Sequence, residues 1–247
     1  MLPSRTADSP GRADLHSHTD RSDGSDSPQD VAAFAAALGL DVLAVTDHDT
    51  LEGAFRAADH CAASGGPEVV IGEEVTSRDG HIIGLFLERL VEPGMPAGDT
   101  VQAIHDQGGV AIAAHPFWHT AERRGRPPHG VGVAALREVG FDAVEVRNGG
   151  VTPSMAVANR TARAAARDLG LVGVGGSDAH IREALGCSLT LFAGRSAVEL
   201  RASLAAGEVA VTGRLPDPAL LWRYLSWVSR RRARPRPRPQ VASLGRP

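Results

Sequence analysis

From about Asp14 to Gly213, short runs rich in Val, Ile and Leu alternate with Ala-rich stretches of helical length. No other feature restricts the fold as strongly. Strands are expected at Asp14–Thr19, Asp41–Asp47, Val69–Thr76, His81–Leu87, Val110–His115, Ala143–Arg147 and Leu171–Gly176. Helices are expected at Pro28–Leu38, Leu51–Ala63, Thr100–Gln107, Val131–Val139 and Ser154–Leu169. Pro28 suits a first helical turn, and Gly39, Gly108, Gly140 and Gly170 fall where helix ends favour a left-handed residue. Strands apolar on both faces that alternate with helices imply a parallel sheet covered by helices. Six or seven such units close more naturally into a barrel than spread as an open sheet.

The 247 residues, with a formal net charge of −3, suffice for one large α/β domain or two small ones. No stretch reaches the ~18–20 consecutive apolar residues of a membrane span. Met1–Asp8 lacks the basic-then-apolar layout of a secretory leader, so none is expected. Cys61 and Cys187 cannot staple a disulfide scaffold, and a reducing, cytoplasmic compartment is expected. All 26 basic residues are Arg; the lack of Lys excludes Schiff-base chemistry and a P-loop. Residues 1–217 hold 18 Arg and 29 acids, giving −11, whereas 218–247 hold 8 Arg and no acid, giving +8. An acidic body of this kind disfavours general nucleic-acid binding.

Two stretches read as irregular, Glu88–Asp99 and the Arg-rich Phe117–Gly130 that follows His115-Pro116. The second is either a lid or substrate loop or a plain surface insertion. Ala219–Val228 reads as a short helix, and the Arg-Pro pairs after it forbid further helix. The expected division is a flexible segment 1–12, a catalytic barrel 13–217 whose extension spans 181–217, and a helix with a disordered tail over 218–247.

The histidines carry the functional signal. His16-Ser17-His18 falls on an expected strand, where residues two apart point the same way and both imidazoles reach one ion. Asp23 follows in a Gly/Ser-rich turn, His48 and Glu74 come at the next strand ends, and His81 opens the fourth strand. His115 closes the fifth, and Asp178-Ala179-His180 forms a second same-face pair after the seventh. In a parallel barrel the carboxyl ends share one face, where active sites form. His16, His18, Asp23, His48, Glu74, His81, His115, Asp178 and His180 would therefore converge. Six imidazoles and three carboxylates exceed one tetrahedral shell and suit two or three divalent ions, with Zn, Mn or Fe favoured over Mg or Ca. Any one of these histidines alone would read as a surface or hydrogen-bonding group. His60 and His105 read as helix-surface residues, and His119 and His129 as solvated loop residues within reach of a substrate.

Asp14-Leu15-His16-Ser17-His18-Thr19, Thr46-Asp47-His48-Asp49, His115-Pro116 and Ser177-Asp178-Ala179-His180 resemble, in order, four motifs of the polymerase-and-histidinol-phosphatase (PHP) superfamily. Gly72-Glu73-Glu74-Val75 resembles the segment that supplies a bridging Glu; Glu74 is chosen from the motif's spacing, with Glu73 as the alternative. The resemblance spans roughly residues 13–180 and implies a distorted (β/α)7 barrel of the PHP type, a trinuclear metal centre and phosphoester hydrolysis. The family's nine-ligand order maps onto the nine positions above. Residues 181–217 resemble the short C-terminal extension of stand-alone members.

Two ions sharing a carboxylate would hold a hydroxide between them, here with Glu74, Asp178 and His48 as the residues that hold it. Arg21, Arg78, Arg147 and Arg182 lie beside the ligand motifs and are phosphate-clamp candidates, although any one of them reads equally as surface Arg. Asn148, with Glu145, is a candidate pocket-lining residue. Asp14, Asp47 and Asp49 would orient imidazoles from behind or cap the following helix. The leading expectation is a phosphoesterase acting on a small phosphomonoester or nucleotide. The alternatives are an exonuclease that trims oligonucleotides, with the Arg-rich loop and tail as its grip, and a non-catalytic metal-bound regulatory module. Against the nuclease stand the acidic body and ten aromatic residues for base stacking. An amidohydrolase would want a carbamylated Lys, and the chain has no Lys.

Overall fold

The computed structural model describes residues 9–121, 127–214 and 218–233. Of the segment 1–12 expected to be flexible, residues 1–8 lie outside the described residues, as do 122–126, 215–217 and the Arg-Pro tail from 234. Gly11 and Arg12 belong to the first strand. The strands are β1 (Gly11–Asp14), β2 (Val42–Val45), β3 (Glu68–Thr76), β4 (His81–Leu85), β5 (Val110–Ala113), β6 (Ala143–Asn148), β7 (Val172–Gly176), β8 (Ser188–Phe192) and β9 (Val209–Gly213). They form one sheet in the order β7-β6-β5-β4-β3-β2-β1-β8-β9. The helices are α1 (Pro28–Leu38), α2 (Glu52–Ser64), α3 (Ala97–His105), α4 (Gly132–Glu138), α5 (Pro153–Leu169), α6 (Ala197–Ala206) and α7 (Pro218–Ala233).

The sheet curls until β7 meets β8 and β9. A side chain makes the seam: Thr190 Oγ1 accepts from the Gly175 N–H and donates to the Gly175 carbonyl, each at 2.9 Å. The result is the nearly closed, distorted barrel expected of the PHP type.

The sheet is not wholly parallel, as the strand–helix alternation had implied. β4 runs antiparallel to β3 and β5, and β8 antiparallel to β1 and β9. Only Ser77–Gly80 separate β3 from β4, too few for the crossover that parallel pairing needs. That turn is set by the Ser77 Oγ, which accepts from the N–H groups of Asp79 and Gly80 at 3.2 and 3.1 Å. β1 also stops at Asp14, short of the expected Thr19. Beyond it the chain is held by single bridges, with the His18 N–H on the Ala179 carbonyl and the Thr46 N–H on the Ser17 carbonyl, both at 2.9 Å.

Helix ends follow local chemistry. Ser27 caps α1, Thr152 caps α5, and Ser196 with Glu199 forms a capping box on α6. Gly39 and Gly170 close α1 and α5 with φ of 69°. Ala13, Leu15, Val42, Ala44, Val70, Ile83, Ile112 and Val174 fill the barrel interior and form the floor of the site. Each large aliphatic group so buried stabilises the fold by about 1.5–3 kcal/mol before chain entropy is counted. α7 exceeds the expected Ala219–Val228, and its Leu220 and Trp227 join the cluster of Leu43, Val45 and Leu189. Among the described residues no helix is long and apolar enough to cross a membrane.

Candidate metal centre

All nine polar residues singled out above meet at one end of the barrel. His16 and His18 follow β1, His48 follows β2, Glu74 lies near the end of β3, His115 follows β5, and Asp178 and His180 follow β7. His81 begins β4, but because that strand runs backwards its first residue pairs with Thr76 at the end of β3. Asp23 is brought in by its turn, which Asp47 fastens. The Asp47 carboxylate accepts from the Thr19 N–H (2.7 Å), the Thr19 hydroxyl (2.6 Å) and the Ser22 hydroxyl (2.5 Å). His115 and Asp178 sit at positive φ, 27° and 51°. Such backbone is costly for these residues and marks a constrained site.

Four atoms define the tightest group. His16 Nε2 lies 3.2 Å from His18 Nε2, 3.2 Å from Glu74 Oε2 and 3.5 Å from Asp178 Oδ1. His18 Nε2 lies 3.3 Å from Glu74 Oε2 and 3.2 Å from Asp178 Oδ1. Ligands held about 2.0–2.2 Å from the centre of a tetrahedron stand about 3.3–3.6 Å apart. Five of the six separations in the group thus match a tetrahedral coordination shell, and its nitrogen and oxygen donors suit Zn, Mn or Fe. The residues fit the metal that the resemblance implies.

Glu74 joins this group to a second. Its Oε2 faces His16, His18 and His48, while its Oε1 lies 2.8 Å from His81 Nδ1 and 2.9 Å from His115 Nε2. A third group gathers Asp23, His48 and His180, with His180 Nε2 3.1 Å from Asp23 Oδ1 and His48 Nε2 3.8 Å from Asp23 Oδ2. His18 serves two groups, since its Nδ1 lies 3.6 Å from Asp23 Oδ1. Glu73 points the other way, as strand alternation requires, and accepts from the Val91 N–H at 3.0 Å. Burial pushes its pKa up to about 8.

Behind these side chains stands Glu145, a residue fully buried on β6. Its Oε1 lies 3.1 Å from His16 Nδ1, and its Oε2 accepts from the His115 N–H (2.9 Å) and the Asn148 amide (3.0 Å). The same amide donates to Asp178 Oδ2 at 3.0 Å. Asn148 thus braces Asp178 instead of presenting its amide to solvent. Asp14, also buried, accepts from the Ser177 N–H (2.8 Å) and the Gly186 N–H (2.9 Å) and so ties down the loop that carries Asp178. Asp49 accepts from the Thr76 N–H at 2.7 Å, beside the end of β3.

The electrostatics call for positive charge. Burial works against ionised Glu74 and Asp178, yet the surrounding imidazoles hold both carboxyls well below their usual range. Burial disfavours charge on His18, but Asp178 and Glu74 outweigh it and raise its pKa to about 10. His16 is raised in the same sense by Asp178, Glu74 and Glu145 against the effect of its burial. Protons on imidazole therefore balance the carboxylates, and divalent cations are the species that would displace them.

The four Arg candidates are engaged by other groups of the chain. Arg21 pairs with Asp20 and Glu52, Arg78 with Asp79, and Arg182 with Asp26 and Asp30. Arg147 reaches the Arg214 carbonyl at 3.4 Å. A register shift between Glu145 and Arg147 gives Asn148 the inward place that strict alternation would give Arg147. His129, read as a solvated loop residue, lies against the cluster. Its carbonyl accepts from the His81 N–H at 2.8 Å, and its ring is 4.8 Å from that of His81. Burial and the neighbouring imidazoles push its pKa down to about 4. Glu145 is the strongest site residue that the sequence placed only as pocket lining. Its signal was a carboxylate inside the apolar run Ala143–Val146.

The model of the family described as PHP domain matches residues 14–126, and that described as PHP-associated matches 157–209. An uncharacterised protein of Methanocaldococcus jannaschii is 37 % identical over 117 residues, which cover 43 % of this chain and 68 % of that one. A 5'-3' exoribonuclease of Haemophilus influenzae is 39 % identical over 34 % of this chain, and a phosphoribosyl 1,2-cyclic phosphate 1,2-diphosphodiesterase of Eggerthella lenta is 40 % identical over 37 %. The match spans only 31 % and 37 % of the lengths of those two enzymes. Among solved structures, a two-domain Bacteroides vulgatus protein containing a PHP-like metal-dependent phosphoesterase superposes with a TM-score of 0.69 at 19 % identity. That superposition covers 92 % of this chain and 72 % of the other.

Proposed function

The chain belongs to the PHP family, and from that premise we propose that it is a metal-dependent phosphoesterase that hydrolyses a small phosphomonoester or nucleotide. The observation that carries this reading is the shell in which the Nε2 atoms of His16 and His18 lie 3.2 to 3.5 Å from each other and from one oxygen each of Glu74 and Asp178. In this reading two or three divalent ions are held, one by that shell, one by Glu74, His81 and His115, and one by Asp23, His48 and His180. Bound there, such ions supply an acidified water and neutralise charge on the phosphoryl oxygens.

The chain's own residues do the rest. Glu74 divides its two oxygens between adjacent groups and fixes their spacing. Glu145 keeps a proton on His16 Nδ1, which leaves Nε2 as the free donor toward the shell. Asn148 holds Asp178 Oδ2, so that Oδ1 turns inward. Asp23 and His48 are the more open members of the cluster, with side chains 16 % and 25 % exposed, and substrate is assigned to approach from that side. Phosphate charge is assigned to the ions rather than to an Arg clamp, because Arg21, Arg78, Arg147 and Arg182 already face partners on the chain. A cytoplasmic location belongs to the same proposal, supported by the two free thiols.

The test is a screen with Mn²⁺ across nucleotides, dinucleotides, sugar phosphates and histidinol phosphate, read by inorganic phosphate for the monoesters and by chromatography of the mononucleotide products for the dinucleotides. Release from a monoester supports the reading. Cleavage confined to dinucleotides would replace it with the oligonucleotide-trimming phosphodiesterase, and no turnover of any of them would leave a metal-bound regulatory module.

A further inference from the structure

α7 lies beyond both matched segments, yet it reaches the candidate metal centre. Leu220 and Trp227 are buried on its inner face, together with Ile181, Ala184 and Leu185 of the loop that follows β7. Arg223 pairs with Glu183 and fastens the helix to that loop. The Trp227 ring packs 5.1 Å from the ring of His180 and 5.3 Å from that of Tyr224. The His180 ring also stacks on His18 at 4.3 Å. His180 is therefore in contact with both an imidazole from beyond the end of β1 and an indole from the last helix.

His180 needs this support more than the other ligands do. His16 and Glu74 sit at 0 % and 1 % exposure, with the barrel wall around them, whereas the group of Asp23, His48 and His180 stands at the open side. The main chain gives the His180 ring one anchor, its Nδ1 at 3.0 Å from the Asp178 carbonyl. That contact leaves Nε2 facing Asp23. An aromatic wall against the ring restricts its rotation and keeps water from its outer side. Both effects lower the cost of ordering a ligand when an ion binds.

We propose that Trp227 is a positioning residue of the metal centre, acting through His180 to secure an ion in the group of Asp23, His48 and His180. This rests on the metal reading above and adds to it that α7 belongs to the catalytic unit, a role that neither matched segment contains.

The test counts Mn²⁺ equivalents bound per full-length chain after desalting, together with stepwise dissociation constants, for the wild type, Trp227→Phe, Trp227→Ala and Leu220→Ala. Trp227→Phe keeps an aromatic wall and is expected to retain every equivalent. Trp227→Ala is expected to weaken one equivalent roughly ten- to a hundred-fold and to leave the others unchanged. Leu220→Ala, which removes a buried apolar side chain of the same helix and keeps the Trp227 ring, is expected to lower the unfolding midpoint and keep every equivalent. Should Trp227→Ala fail to fold by circular dichroism, Trp227→Leu keeps the apolar plug without the ring and is expected to show the same selective loss. Unchanged binding in the folded Trp227 variant overturns the proposal, and so does loss of the same equivalent in Leu220→Ala. A wild-type chain that binds no Mn²⁺ overturns the metal reading itself, which is a different result from a selective loss that never appears.

Discussion

His16 Nδ1 lies 3.1 Å from Glu145 Oε1, and both side chains are buried. That contact decides which imidazole nitrogen faces the shell, because a nitrogen that donates to a carboxylate cannot also offer a lone pair. Glu145→Ala is expected to weaken Mn²⁺ binding ten- to a hundred-fold, roughly the cost of losing such a support. Glu145→Gln, which still accepts through one oxygen, should fall between Ala and the wild type. Calorimetric titration with Mn²⁺ measures both, and equal affinities in all three chains would remove Glu145 from the account.

Ligand substitutions should separate sharply from a surface control. His18→Ala, Glu74→Ala and Asp178→Ala each open the four-atom shell, so turnover should fall by orders of magnitude. His60→Ala on α2 contacts none of these groups and should stay near wild type. Steady-state phosphate release decides, and two sets of variants that behaved alike would contradict the site.

Asp14 serves the fold more than the chemistry. Removing its carboxylate leaves the buried N–H groups of Ser177 and Gly186 without their acceptor. Asp14→Ala should lower stability by about 1–3 kcal/mol, the cost of leaving a buried donor unsatisfied. Urea unfolding in chelator, where bound metal cannot mask the loss, measures it. A midpoint unchanged from wild type would contradict the assignment.

The two thiols should react unequally. Burial pushes the Cys187 pKa up to about 12, so almost no thiolate exists at pH 8. Cys61, half-buried on α2, is raised by burial as well but remains reachable. A disulfide reagent such as Ellman's should label one thiol per native chain and two after denaturation. Two native labels would show that the barrel opens at Cys187.

A chain ending at Ser229 keeps Trp227 and every residue of the cluster while losing seven Arg. Its release of phosphate from a small substrate is expected to equal that of the full chain. A fall in turnover or a lost unfolding transition would make the Arg-rich end part of the catalytic unit.

Much of this was legible in the sequence because the signals were local. The H-x-H pair, the Asp178-Ala179-His180 pair and the helix caps depend on neighbours in the chain, and α1 begins and ends at Pro28 and Leu38 as read. His81 was legible as a member of the cluster although its strand had been taken as parallel. The short Ser77–Gly80 turn reverses β4 and so keeps its first residue at the site. Non-local pairing was not legible. The register shift in β6 exchanges Arg147 for Asn148, and nothing in the letters of Ala143–Asn148 announces it. The seam between Thr190 and Gly175, and the contact of Trp227 with His180, join segments 15 and 47 residues apart in the chain. Pattern and propensity carry no information about such meetings.

The central claim is that the convergent His, Asp and Glu residues act as a metal centre for phosphoester hydrolysis. Its most direct test is phosphate release by the full chain from the best substrate of the screen, measured as purified, after exhaustive chelation with metal content verified, and after Mn²⁺, Zn²⁺ or Fe²⁺ is restored. The account predicts that chelation abolishes release and that at least one of these ions returns it. Release undiminished in the verified metal-free chain would contradict it.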